Sequence, residues 1–326
     1  MSKKDILISV IIPVKDGEFW LQNLFEKLMQ QSLFGQTEII VIDSGSTDRS
    51  LDIIRQYPVN LIQIMSAEFN HGETRNMGVR AAKGKYVVLT VQDAVPVDDF
   101  WLQNLLNGFI DDTIAGVCGQ QIVAHEKQNN PVEWFFPVNK PSISSYQFEN
   151  KSQFENLSAE EKKRVCGWDD VTACYRRDIL LKLPFREIEF AEDLQWAFDA
   201  LMAGYTIVYN TYARVYHYHH MTNDFSFKRS LTNFYYRYKI LGYKPSSVQM
   251  TLRQHLQMIY ILIKRDISFK AKFGWWKYNI NLNLQYKKAF CIFSEALKMG
   301  DFNLDKIYHQ ICSTPPQAKC VDNNEK

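Results

Sequence analysis

"ILISVIIPVKDGE" occupies residues 6–18, and its reading decides how the rest of the chain is parsed. Residues 6–14 form a near-continuous run of branched aliphatic side chains, apolar on both faces, which predicts a strand covered from both sides. A polar turn follows at 15–18, and then Phe19, Leu21, Leu24, Phe25, Leu28 and Met29 recur at helical spacing. Strand, loop and helix succeed one another, and the unit repeats. "TEIIVIDSG" (37–45) is a second strand, after which Ser46 or Asp48 can cap a helix from near Arg49 to Gln56. "VNLIQIM" (59–65) is a short third strand, "SAEFNHGETRNMGVRAAKG" (66–84) leads into a helix closed by Gly84, and "KYVVLTVQD" (85–93) is the fourth strand. This alternation predicts an α/β, doubly wound parallel sheet whose ligands bind beyond the C-terminal strand ends. The informative residues fall there, at 13–17, 43–48 and 92–93.

The chain has 326 residues, 46% of them apolar, enough for one large domain with an appendage or for two domains. Its net charge of +2 conceals an asymmetry. Residues 1–224 carry 21 Lys and Arg against 30 Asp and Glu, a balance of −9, whereas residues 225–326 carry 17 against 6, a balance of +11. The two regions, split at 224/225, should therefore meet different partners. Six cysteines (Cys118, Cys166, Cys174, Cys291, Cys312 and Cys320) lack C-x-x-C spacing, which points to reduced thiols rather than a zinc site or a disulfide framework. Lys3 and Lys4 ahead of an apolar run imitate a signal peptide, but Pro13, Lys15 and Asp16 end the run without a small-residue cleavage site, so a buried strand is expected. No window reaches the ~18 apolar residues that span a bilayer.

Residues 119–165 are polar and poorly periodic and read as a long surface excursion or lid. Regular structure resumes at "GWDDVTACYRRDIL" (167–180). In "FAEDLQWAFDALMAGY" (190–205), Leu194, Ala197, Phe198 and Leu201 line one helical face and Gly204 ends the helix. From about Phe225 the chain is mainly helical, basic and aromatic.

Seven stretches, "SVIIPVKDGE", "VIDSGSTDRS", "FNHGETRNMG", "LTVQDAVP", "RRDILLKLPF", "AEDLQWAFDALMAGY" and "VYHYHH", occur in an order that resembles family 2 glycosyltransferases of the GT-A fold, and more narrowly the bacterial rhamnosyltransferases among them. The resemblance covers about residues 6–225. It implies an inverting, metal-dependent transfer of a sugar from a nucleotide donor, with Pro13, Asp43, Arg75, Gln92 and Trp168 contacting that donor. Asp43 would accept from a pyrimidine ring N–H, whereas Ser46 and Asp48 suit helix capping. Arg75 would present its planar fork to a phosphate or base carbonyl, since a cation at a helix start is otherwise poorly placed. Trp168 would stack on a sugar face; Trp196 reads as core.

Most family members carry Asp-x-Asp-Asp where this chain has Thr90, Val91, Gln92 and Asp93. A single carboxylate suffices for Mg²⁺ when a diphosphate supplies further oxygens, so Asp93 is the expected metal ligand and Gln92 a donor to sugar or phosphate. The alternative is that Asp93 only opens the turn before Pro96. His217 and His219, alternating in "VYHYHH", are the further candidates for Mg²⁺ or Mn²⁺, or else pack on the neighbouring tyrosines. Asp193 is the expected general base, with Glu192 on the donor or acceptor sugar; acids in a first helical turn also complement the helix dipole.

The resemblance further implies dTDP-L-rhamnose as donor and a surface-polysaccharide or lipid-linked glycan as acceptor. A UDP-sugar donor, or a silent nucleotide-sugar-binding scaffold subunit, are the alternatives; retention of Asp43, Arg75, Asp93 and Asp193 together argues against the scaffold. Across 264–288, seven Lys and Arg face one Asp among aromatics, which suits an anionic membrane surface, a solvated helical face or a homo-oligomer contact. Nucleic acid would suit the same composition but is not the expected partner. The expected location is cytoplasmic, peripheral to the inner face of the membrane.

Overall fold

The computed structural model describes residues 5–134, 140–245 and 250–316. In chain order its elements are β1 (Ile8–Val14), α1 (Leu21–Met29), β2 (Thr37–Asp43), α2 (Ser50–Ile54), β3 (Asn60–Gln63), α3 (His71–Ala81), β4 (Tyr86–Thr90), β5 (Val95–Pro96), α4 (Trp101–Leu106), β6 (Ile114–Ile122), β7 (Ile143–Tyr146), α5 (Lys151–Glu155), α6 (Ala159–Val165), β8 (Thr172–Arg176), α7 (Arg177–Lys182), α8 (Glu192–Met202) and β9 (Thr206–Tyr216). Four helices follow: α9 (Asn223–Leu241), α10 (Leu252–Lys264), α11 (Phe269–Lys298) and α12 (Asp301–Ile311). The chain divides into two compact units. The first comprises 1–122, 137–157 and 164–217, and the second 123–136, 158–163 and 218–326. The division falls near 218 rather than at 225, and two short segments from the middle of the chain join the second unit.

In the first unit the strands run in the order β3-β2-β1-β4-β8-β6-β9-β5, with β7 also paired to β9. β1 pairs in parallel with both β2 and β4, and β2 with β3, as the repeated strand–helix units require. Beyond β4 the parallel run is interrupted, because β8 runs antiparallel to β4 and to β6; β6 and β9 then pair in parallel again, with β5 and β7 antiparallel to β9. β8 therefore starts at the edge of the sheet where β1, β2 and β4 end, and the residues just before it join the loops after those strands. The apolar reading of β1 holds: Ile8, Val10, Ile11 and Ile12 are fully buried, with Ile8, Val10 and Ile12 packed with Leu21, Leu24 and Phe25 from α1 and Ile39 and Val41 from β2, and Ile11 on the other face against Gly78 of α3.

Two glycines expected to end helices behave differently. Gly204 follows α8 with φ +83°, the left-handed conformation a helix stop uses. Gly84 does not cap α3, which ends at Ala81; a side chain there would meet the backbone of Ile8 and Ser9 at 2.7 Å, and its N–H donates to Ser9 Oγ at 2.9 Å. Its role is close approach to β1. The 119–165 stretch is also more ordered than its composition suggests, since it completes β6, supplies β7 and buries Phe154; residues 135–139 lie outside the described set.

The second unit holds α9–α12. α11, at 30 residues, packs along α9 through Phe234, Tyr286, Phe290 and Phe293, and Tyr235 stacks on Tyr308 of α12 at 3.9 Å between ring centroids. The segments from mid-chain are tied in by polar contacts: Asn130 exchanges hydrogen bonds with Asn279, Arg265 donates to the Pro131 carbonyl, and Tyr243 donates to Glu160. Among the described residues no helix is long and apolar enough to cross a membrane. The five described cysteines are free thiols, and Cys320 lies outside the described residues.

Candidate active site

The loops after β1 and β2 are laced together by reciprocal hydrogen bonds. The amide of Asp16 donates to Ser46 Oγ and that of Thr47 to Asp16 Oδ1; Glu18 N–H donates to Asp48 and Arg49 N–H to Glu18. Gly17 N–H donates to Ser50 Oγ at 2.7 Å, and Asp48 also accepts from Ser50 N–H, which meets the helix-capping expectation for Asp48 but not for Ser46. Pro13 sits half-buried in β1 opposite Ile42. Asp43, at the end of β2, is fully buried and accepts from the amides of Gly45 and Ser46 at 3.1–3.3 Å. Its carboxylate shapes its own loop with part of its acceptor capacity, which two amides do not exhaust.

Gln92 is also committed to a loop. Its Oε1 accepts from Lys15 N–H at 2.9 Å and its Nε2 donates to the Lys15 carbonyl at 3.0 Å. A neutral amide can make this two-way clamp, whereas a carboxylate at 92 would face the Lys15 carbonyl with no proton to give. That accounts physically for Gln in place of Asp, and it occupies one of the two Nε2 hydrogens.

The next residue, Asp93, lies with His217, which follows β9: Oδ1 to Nε2 is 3.5 Å. The other ring nitrogen of His217, Nδ1, is 2.5 Å from Gln121 Oε1, and Gln121 Nε2 in turn donates to Asp169. With its amide group spent on Asp169, Gln121 offers only its oxygen to the ring. In a neutral imidazole this places the proton on Nδ1 and turns the Nε2 lone pair toward Asp93, the form in which the ring could ligate a metal. A carboxylate and a correctly oriented imidazole lone pair make a donor set that fits Mn²⁺ or Mg²⁺ with oxygens from a diphosphate. His219 stands two residues further along the chain, in the second unit. Both histidines lie beyond the end of β9, so no strand alternation governs them.

A second cluster gathers where α3, α8 and the start of β8 meet. The Arg75 guanidinium is buried and forms ion pairs with Glu192 and, at 3.3 Å, with Asp170, while Nη1 also donates to the His71 carbonyl. Asp170 accepts from the Tyr175 hydroxyl, which accepts from Trp168 Nε1 at 2.6 Å. Arg75 is thus consumed by carboxylates, which corrects the expectation that its fork reaches the nucleotide. Trp168 is corrected as well: at 4% exposure its ring is packed among Tyr175, Trp196 and Tyr209 and has no face for a sugar. Trp196 is core, as expected, with its indole N–H on the Leu183 carbonyl.

Electrostatics separate the acids of this cluster. Burial opposes the charge of Arg75, but Asp170, Glu192 and Asp193 hold it protonated above the ordinary arginine value. Burial also opposes the charge of Glu192, yet Arg75 and then His71 bring it below the usual carboxylate value. Asp170 is pushed up to about 7, by burial against the pull of Arg75 and then by Glu192. Asp193 is raised well above the usual value by burial and by the neighbouring charges of Glu192, Asp170 and Asp169. Its Oδ1 accepts from the Leu194 amide at 2.7 Å. Ala191, immediately before this pair, is held at φ +64°, a left-handed conformation unfavourable for a side-chain-bearing residue, and so aims the first turn of α8 from a strained position. Glu192 itself is buried against Arg75, so it supports the cluster rather than meeting a sugar.

Gln121, Asp169, Asp170 and Tyr175 were not singled out in the sequence as site residues. Gln121 lies in the polar stretch that carried no period, and β8 brings the other three in from a strand direction that local pattern does not reveal.

An acid-lined edge of a doubly wound sheet, with a carboxylate–imidazole pair after β4 and β9 and carboxylates at the head of α8, suits a glycosyltransferase of the GT-A fold. The chain belongs to the family described as glycosyl transferase family 2, whose model matches residues 9–183. It is 30% identical over 230 residues to the O-antigen chain rhamnosyltransferase RfbN of Salmonella typhimurium, covering 68% of this chain and 69% of that one. It is 31% identical over 225 residues to the O-antigen chain rhamnosyltransferase WbaN of Salmonella anatum, with the same coverage. Among solved structures it resembles S. aureus TarS in complex with UDP-GlcNAc (TM-score 0.51, 16% identity, 95% of this chain and 82% of that one). It also resembles the mannosyltransferase PcManGT from Pyrobaculum calidifontis in complex with GDP-Man and Mn²⁺ (TM-score 0.50, 16% identity, 94% and 79%). These two likenesses concern the fold.

Proposed function

We propose that the enzyme transfers L-rhamnose from dTDP-L-rhamnose, with inversion at the anomeric carbon, to a surface-polysaccharide or lipid-linked glycan acceptor on the cytoplasmic side of the membrane. The observation that carries the chemistry is Asp193, whose proton affinity is raised by burial and by Glu192 at the head of α8. A base of raised affinity takes the acceptor hydroxyl proton as its oxygen attacks the anomeric carbon and the bond to the diphosphate breaks. Arg75 keeps Glu192 ionised beside it, so Asp193 binds the proton while its neighbour stays charged. Asp93 and His217 would hold the divalent cation, and the cation would neutralise charge gathering on the departing diphosphate. Gln92 and Asp43 keep the loops after β1 and β2 in shape for the nucleotide. The donor assignment is supported by the likeness to two O-antigen chain rhamnosyltransferases. A panel of nucleotide sugars with Mg²⁺ or Mn²⁺, read by release of nucleoside diphosphate, tests it: dTDP-L-rhamnose should be the preferred donor, and a preference for a UDP-sugar would overturn the assignment.

A further inference from the structure

α10 carries two apolar faces, and only one of them is buried. Met258 and Leu262 face the helices of the second unit. On another side, Leu252 (75% exposed), Leu256, Tyr260 and Ile263 (63%) stand in the open. At 100° per residue these four fall within a sector of roughly 80°, a continuous ridge along the helix rather than scattered surface residues. Phe269 (84% exposed) and Phe273 are likewise exposed on the first turns of α11, the next helix in the chain. Arg253, Lys264, Lys270 and Lys277 are exposed beside the ridge, and Asp266 is the one acidic residue in 252–277. Lys264 lies over the Tyr260 ring at 5.7 Å, so a cation and an aromatic edge share the margin of the apolar sector.

We propose that this ridge, the outer face of α10 with the start of α11, seats the protein on an anionic lipid surface. An apolar sector flanked by lysine and arginine is the pattern of a helix lying in the plane of a bilayer interface, where the side chains enter the acyl boundary and the cations meet anionic headgroups. A second copy of the same chain would bring this concentrated positive charge against itself, which disfavours the ridge as a self-association face. The seat differs from the one composition suggests for 264–288, because Trp275 is packed with Tyr278 and His220. Trp276, stacked on Phe273 at 5.6 Å between centroids, borders the ridge. The inference is independent of donor and acceptor.

Co-sedimentation of the full chain with phosphatidylglycerol–phosphatidylcholine vesicles and with phosphatidylcholine vesicles tests it. The protein should sediment with the anionic vesicles, and the double variant Leu256→Glu, Ile263→Glu should lose at least about tenfold in partitioning, with unchanged thermal unfolding and unchanged diphosphate release from free donor in solution. Arg253→Gln, Lys264→Gln, Lys270→Gln together should weaken binding to anionic vesicles selectively. Equal failure to sediment with both vesicle types, or wild-type partitioning by the glutamate variant, would overturn the proposal. So would concentration-dependent self-association of the wild type, abolished in the glutamate variant, without vesicle binding.

Discussion

Asp193 and Arg75 divide the work of one carboxylate cluster, and substituting each should have a different signature. If Asp193 is the base of the proposed mechanism, Asp193→Asn should lower turnover by about 10² or more while donor affinity stays near wild type. Normal turnover in that variant would exclude Asp193 as the base. Arg75 acts on protonation. The base works when deprotonated, so kcat/KM should rise with pH through an apparent pKa of the cluster that lies above the ordinary carboxylate range. Removing the buried cation in Arg75→Met raises that pKa and moves the acidic limb to still higher pH, whereas Arg75→Lys keeps the charge and should move it less. An unmoved limb in Arg75→Met would remove the cation from the proton balance. At this scale the sequence was a partial guide. Asp93, Asp193 and His217 each follow or open a regular element, which is why their motifs could be placed from local pattern. Arg75, Gln92, Asp43 and Trp168 were assigned to the ligand on the family resemblance; the partners of Arg75 and Gln92 (Glu192 and the Lys15 backbone) come from distant parts of the chain, whereas those of Asp43 and Trp168 (the Gly45 and Ser46 amides and Tyr175) are close in sequence.

Gly84 shows how an element boundary can be read correctly as a break and wrongly as a device. A glycine after an apolar-periodic stretch suggests a helix stop, yet here it lets the α3–β4 connection lie against the β1 backbone. Gly84→Ala should therefore destabilise the fold by about 1–3 kcal/mol, the scale of an overpacked site, read as a lowered Tm. A wild-type Tm would place the connection farther from β1 than described. β1, β2, β4 and α8 were legible because each is a continuous apolar run or a clean helical stripe. β7 was not, because Ile143, Ser144 and Ser145 are exposed and leave no alternation to read. The antiparallel direction of β8 was hidden too, since local pattern carries no direction; yet that direction delivers Asp169 and Asp170 to the site.

Across the whole molecule, the acidic and basic regions that composition separates correspond broadly to the two compact units. Segments 123–136 and 158–163 escape that reading because they are held by single long-range contacts, such as Asn130 to Asn279 and Glu160 to Tyr243, which no local period encodes. On the proposed function the acidic unit would accept a doubly charged diphosphate near Asp93, with Asp169, Asp170, Glu192 and Asp193 in the same unit and Arg75 already paired with two of them. Such a site should favour a nucleotide sugar only when a divalent cation is present. The most direct test is calorimetric titration of the intact protein with dTDP-L-rhamnose, with and without Mn²⁺. Affinity should rise by about tenfold or more with the metal, and Asp93→Ala should erase that increment, because the cation would lose its carboxylate anchor. Identical affinity with and without Mn²⁺, or a full increment surviving in Asp93→Ala, would contradict the account.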